Sequence, residues 1–247
     1  MKFETMPRRK TISGFEEDKY EVLLEFQRPL LGSVPADSGA IQYWLRARTE
    51  RLYGFKEALR KLPEVTAEFQ KHLENYNRVA SARMGELEEE GESEAKTYSI
   101  LLFLRRPDAK DLTKGAVIEQ YHIAGLLKDA AIMLGASRSV TRIGDRVRTF
   151  PFDIPIYADK ECTEEAKILF PYVRYIRGMT MRGPRSAVLF HEWIEPPAYA
   201  KFELHTFGIP EETVKTLFRY AEQYLGILAG RHHEAGRFKI LKLEKVE

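Results

Sequence analysis

Residues 20–27 alternate apolar and polar side chains, Val22, Leu24 and Phe26 against Glu21, Glu25 and Gln27. This is the two-residue period of a half-buried strand. Arg28-Pro29 interrupts it, and residues 31–40 form a loop rich in Gly, Ser and Pro. From about Ala40 to Met84 the period becomes helical. Trp44, Leu45, Leu52, Phe55 and Leu59 make one stripe, and Val65, Phe69, Leu73 and Tyr76 a second. Pro63 lies between them and fits the first turn of a helix, so the pattern predicts an antiparallel helical hairpin joined there. Residues 97–104 are the most apolar strand, and 118–134 read as a helix with a short extended entry. Residues 139–150 and 152–157 read as extended around Pro151, and 187–193 and 199–207 as strands around Pro196-Pro197. Pro210 opens a helix over 211–225 whose first turn is acidic, as the helix dipole favours. Residues 238–246 close the chain as a strand.

Without the hairpin this order is βαββαβ. It predicts an α+β fold with a ferredoxin-like (RRM-like) core and an inserted α-helical hairpin. The expectation is a single domain over 1–247. Its helical insertion, at about 40–95, would lie outside the core and serve contacts with a neighbour.

Composition narrows the function. A chain of 247 residues with 44% apolar and 31% charged residues is an ordinary globular protein, and its net charge of +2 excludes a strongly basic one. Distribution matters more than the total. Glu86, Glu88, Glu89, Glu90, Glu92 and Glu94 crowd a run without a cation. Arg138, Arg142, Arg146, Arg148, Arg174, Arg177, Arg182 and Arg185 crowd the second half. Tyr172, Tyr175 and Met179–Met181 interleave with the later arginines, giving stacking surface beside charge. The charged start lacks an apolar signal core, and no apolar run is long enough for a bilayer. A soluble, cytoplasmic protein without a membrane partner is expected.

Little points to catalysis or to a metal. Cys162 is the sole cysteine, so neither a disulfide framework nor a cysteine metal cluster is available, and neighbouring Glu161 disfavours a thiolate. His232-His233-Glu234 is dense, but adjacent side chains in an extended loop diverge, so no metal and no cofactor is expected. No serine elbow and no phosphate-binding lysine loop occurs.

The stretch Tyr224–Ile240 carries the strongest signal. Gly226, Gly230 and Gly236 are spaced four and six apart, each near a basic residue, Arg231 and Arg237 among them. Glycine permits backbone conformations and close approaches closed to other residues, and arginine's planar fork suits phosphate. A helix–loop–strand unit of this kind is a plausible cradle for a nucleic-acid backbone, or a helix C-cap followed by a tight turn. Arg138, Arg142, Arg146 and Arg148 recur at even spacings that share one face if the segment is a strand.

This loop, the early run Tyr20–Ser33 with Pro29-Leu30-Leu31-Gly32-Ser33, and the middle run Val117–Ala131 resemble, in that order, the RAMP superfamily. The likeness is to its Cas7-like branch, the RNA-binding backbone subunits of CRISPR effector complexes. That branch has Pro-Leu-x-x-Gly-Ser after its first strand and Ile-Pro-Gly-Ser-x-Leu-Lys-Gly at its first helix. Here Gln120 stands where the family often has Pro, and Asp129 follows Lys128 where a Gly is expected. The resemblance implies single-stranded RNA (or ssDNA) as partner, gripped through Arg28, His122, Lys128, the arginine row and the glycine loop. It also implies copies assembled along the strand, or a multi-subunit ribonucleoprotein. Some members carry an RNA-cleaving aspartate in the loop after the first strand, where Asp37 stands. An Asp before Ser-Gly is also a common turn residue. The run Gly236-Arg237-Phe238 resembles, in addition, a family of uncharacterised phage and prophage proteins. The alternatives are a viral assembly protein using the fold for protein contacts, and an endoribonuclease acting through Asp37 or a histidine.

Overall fold

A computed structural model of the chain describes residues 17–36, 39, 43, 45–47, 49–50, 54–89, 97–106, 109, 111–135, 140–180, 183–230 and 234–246. Strands β1 (Glu17–Phe26), β2 (Leu30–Leu31) and β3 (Val34–Pro35) come first, followed by helix α1 (Phe55–Glu89). Then come β4 (Tyr98–Leu102), β5 (Leu104–Arg105), β6 (Ala116–Glu119) and helix α2 (Gln120–Met133). A 3-10 segment, Val140–Arg146, leads into β7 (Val147–Phe150), β8 (Asp153–Pro155), β9 (Leu169–Thr180) and β10 (Gly183–Ile194). β11 (Ala198–Phe207), helix α3 (Glu211–Tyr224) and β12 (Phe238–Val246) complete the chain. The fold is α+β. It divides into two compact units, one of Met1–Leu30, Val117–Ala166 and Glu195–Glu247, the other of Leu31–Ala116 and Lys167–Ile194.

The first unit is built on a four-stranded sheet in the order β12-β1-β11-β7. Every pairing is antiparallel, with Phe26 opposite Ala198 on β11 and Phe238 on β12, and Glu203 opposite Phe150 on β7. The alternation of β1 sends Tyr20, Val22, Leu24 and Phe26 inward, all fully buried. Helices α2 and α3 pack on each other, and α3 on β12. They bury Ile123, Leu126, Leu127 and Ala130 from α2 and Val214, Leu217, Phe218 and Ala221 from α3. Alternate residues along the strands carry polar and charged side chains that bond to one another instead. Glu21 meets Lys201 at 3.1 Å and Lys242 at 2.5 Å, the Tyr199 hydroxyl donates to Glu25 at 3.1 Å, and His205 meets Glu17 at 2.7 Å.

In the second unit β10 pairs in parallel with β4 and antiparallel with β9, and β3 lies antiparallel to β4. Helix α1 supplies Phe69, Tyr76, Ala80, Met84 and Leu87 to one core with Ile100, Leu102, Val188 and Phe190. Burying side chains of this size stabilises by about 1.5–3 kcal/mol each. One expectation is corrected here. The join is not at Pro63, which lies inside the 35-residue α1; the chain turns earlier, at Gly54, whose φ is +75° and whose N–H bonds to Glu50. A proline inside a helix costs about 3 kcal/mol, and the buried stripe offsets it. This helix forms one wall of the second unit's own core.

A second correction concerns residues 139–150. The described part begins as the 3-10 segment and becomes extended only at Val147. Ile143, Val147 and Thr149 are buried, and the first two are four apart, a spacing that a strand and a helical turn satisfy alike. Packing of the segment against α2 decides for the turn.

Candidate nucleic-acid interface

The loop between α3 and β12 is held by backbone hydrogen bonds, one within itself and two to the turn after β1. The Ile227 N–H donates to Gly236 O at 3.1 Å, the Gly236 N–H to Pro29 O at 2.9 Å, and the Gln27 N–H to Arg237 O at 2.9 Å. Leu228, Gly230, Glu234 and Gly236 all have positive φ, between 65° and 71°. A Cβ on Gly236 would lie 2.1 Å from the Ile227 carbonyl oxygen, so only glycine fits there. Gly226 is buried, Gly230 half-buried. The Arg237 guanidinium donates to Gln223 O at 2.5 Å, satisfying a carbonyl at the end of α3. Arg231 lies outside the described residues.

The other sequence-derived residues fall at several places. Arg28 is exposed in the turn after β1, and Lys128 is exposed on α2. His122 accepts the Glu119 N–H at 3.2 Å through Nδ1, half of a capping box at the start of α2. Arg148 is exposed on β7, its guanidinium donating to Val147 O at 2.8 Å, and Arg146 lies 3.5 Å from Gly208 O. Because Val140–Arg146 is a 3-10 segment, Arg142, Arg146 and Arg148 do not form a row on one strand face. Asp37 and Arg138 lie outside the described residues, as does the side chain of Arg142.

The Gly-Ser turn packs inside the second unit. A Cβ on Gly32 would lie 2.5 Å from the Leu102 carbonyl carbon, and the Gly32 N–H donates to Glu192 O at 2.8 Å. The Gly32 carbonyl accepts from His191 Nδ1 at 2.8 Å. Burial, with Arg174 nearby, holds the His191 imidazole below its ordinary value, which keeps it neutral with the proton on Nδ1. Beside it, Glu192 is fully buried and bonded to Arg105, with the Phe103 N–H at 2.7 Å and His72 Nε2 at 3.7 Å.

One feature of this unit was only partly legible. Strand β9, which the pattern reading left unassigned, pairs with β10 over nearly its whole length. β4 covers only Val188–His191 of β10, so towards residues 180 and 183 the two strands pair as a ribbon. Residues 166–191 carry Lys167, Arg174, Arg177, Arg182 and Arg185 and no carboxylate. Tyr175 and Ile176 are exposed on this ribbon, at 48% and 42%. Pro171 and the glycines at 178 and 183 obscured the strand period. Among the described residues no three metal-binding side chains cluster, and no helix is long and apolar enough to cross a membrane.

No protein-family profile and no curated protein matches the chain. Among solved structures, it is similar to a chain in a cryo-EM structure of the type III-B Cmr-beta bound to cognate target RNA. The two are 12% identical, with a TM-score of 0.44 over 94% of this chain and 61% of that one. The chain thus spans about three fifths of that neighbour's length.

Proposed function

We propose that the protein is a RAMP-like binder of single-stranded nucleic acid, RNA in preference to DNA, whose copies assemble along the bound strand. The observation that carries this reading is the basic ribbon: 26 consecutive residues, 166–191, with five cations, no carboxylate and exposed Tyr175 and Ile176. Cations follow a phosphate backbone, and exposed rings accept bases of any sequence. The first unit supports the reading through its order. The path β1, α2, β7, β11, α3, β12 with strands arranged β12-β1-β11-β7 is that of a ferredoxin-like core. Its glycine loop follows the second helix of that path, as the resemblance implies. The sheet face bearing Glu17, Glu21, Glu25 and Glu203 is a poor surface for phosphates, so phosphate contacts in this unit belong to its loops.

The test is fluorescence anisotropy of a labelled single-stranded RNA over a salt series, repeated with DNA of the same sequence. Each phosphate neutralised steepens the log–log slope by about 0.7, so neutralisation of four phosphates gives a slope of about −3. Affinity no greater than that of a neutral control protein at the lowest salt overturns the proposal.

A further inference from the structure

At one edge of the first unit's sheet, three large aromatic side chains are left in solvent. Phe150 and Tyr121 are each 53% exposed and Phe152 is 38% exposed. They come from two segments joined through Gln120. The Gln120 N–H donates to Phe152 O at 3.0 Å, and the Gln120 side chain accepts the Thr149 N–H at 3.4 Å. Two imidazoles lie against the rings, His122 4.1 Å from Tyr121 and His205 4.5 Å from Phe150, centroid to centroid. Arg148 is exposed two residues before Phe150, on the same face of β7. The acids nearby are Glu203, opposite Phe150 in the register, Glu17, 2.7 Å from His205, and Glu119, the capping partner of His122, with Asp145 and Asp153 in the flanking segments.

We infer that this rim is a stacking platform for unpaired bases of a single-stranded nucleic acid. The inference rests on the function proposed above and deepens it. The patch consists of rings with a guanidinium alongside, the combination on which the bases of a single strand stack. Its position agrees. Phe26 faces Phe238 where β12 begins, and Tyr157, just past β8, bridges to Tyr199, the partner of Glu25. The chain from Phe150 onward therefore runs toward the end of the sheet that holds the glycine loop and Arg28. β12 and β7 are three strand spacings apart, about 14 Å. A strand held by its phosphates at the loop reaches the rim within a few nucleotides.

The experiment compares wild type, Phe150→Ala, Phe150→Trp and Tyr121→Ala on two oligonucleotides of equal length, a single-stranded RNA and its fully abasic analogue. Expected are an RNA affinity about tenfold lower for Phe150→Ala and Tyr121→Ala and near wild-type affinity for Phe150→Trp. Abasic affinity is expected to be the same for all four, with unchanged salt slopes. If Phe150→Ala keeps wild-type RNA affinity, or loses RNA and abasic binding equally, the platform is overturned while the binding function stands. If wild type binds neither oligonucleotide, the function and the platform fall together. Melting temperatures of the four proteins identify any variant whose loss comes from misfolding.

Discussion

Glu192 is a charge with no exposure at all, and its surroundings determine its state. Burial alone raises a carboxyl. Arg105, the His72 imidazole and the Phe103 N–H outweigh that here and hold Glu192 below the ordinary value. Its ionised form therefore stabilises the fold fully above the unfolded value of about 4.3, and the contribution is lost as pH falls through the lower folded value. Thermal melts between pH 3 and 7 should show Glu192→Gln destabilised at pH 7 by about 3–5 kcal/mol, because Arg105 is left buried without its counter-ion. The gap between wild type and variant should narrow below pH 4. A gap independent of pH removes the ionised carboxylate from the explanation. Gly236 shows a different residue-level demand: its loop needs glycine because a Cβ has no room beside Ile227, whatever the loop binds. Glycine spacing in the sequence indicated the loop but did not distinguish self-packing from ligand contact.

At the scale of elements, α1 shows how packing overrides a local signal. Pro63 reads as a helix boundary, yet the helix continues through it because the stripe from Phe69 to Leu87 has a sheet face to cover. Truncating that stripe tests the account. Leu87→Ala should cost about 2–5 kcal/mol of unfolding free energy in urea titration, as a buried leucine does. Replacing exposed Glu88 by Ala should cost less than about 0.5 kcal/mol. Equal small effects at both positions mean that the helix is not part of the core. Strand β9 is the converse case: Pro171 and Gly178 weakened its alternation, and only pairing with β10 along the ribbon makes it a strand.

At the scale of the whole molecule, a net charge of +2 conceals a sharp division. Glu86–Glu94 is wholly acidic among its charged residues, and residues 166–191 are wholly basic. Opposite charges attract, so an acidic and a basic segment on one chain give the proposed pairing of neighbouring copies an electrostatic complement. Under the proposed function, sedimentation velocity with single-stranded RNAs of increasing length should show complexes that grow by whole copies of the protein. A single copy per RNA at every length, under saturating protein, rules assembly out.

The sequence by itself determined the amphipathic periods, and with them β1, β4, α2, β11, α3 and β12 near their observed bounds, the α+β class and the loop before β12. These are local properties, because a two- or 3.6-residue period is written in consecutive side chains. Tertiary structure alone decided that residues 140–146 coil against α2 instead of extending, which dissolved the expected arginine row. It also decided that α1 lines the second unit's core, that β9 and β10 join into a ribbon, and that Tyr121, Phe150 and Phe152 meet around Gln120. Each of those outcomes depends on which distant segment supplies the facing surface. Contacts between separate segments, whether neighbouring or remote along the chain, leave no periodic trace in it.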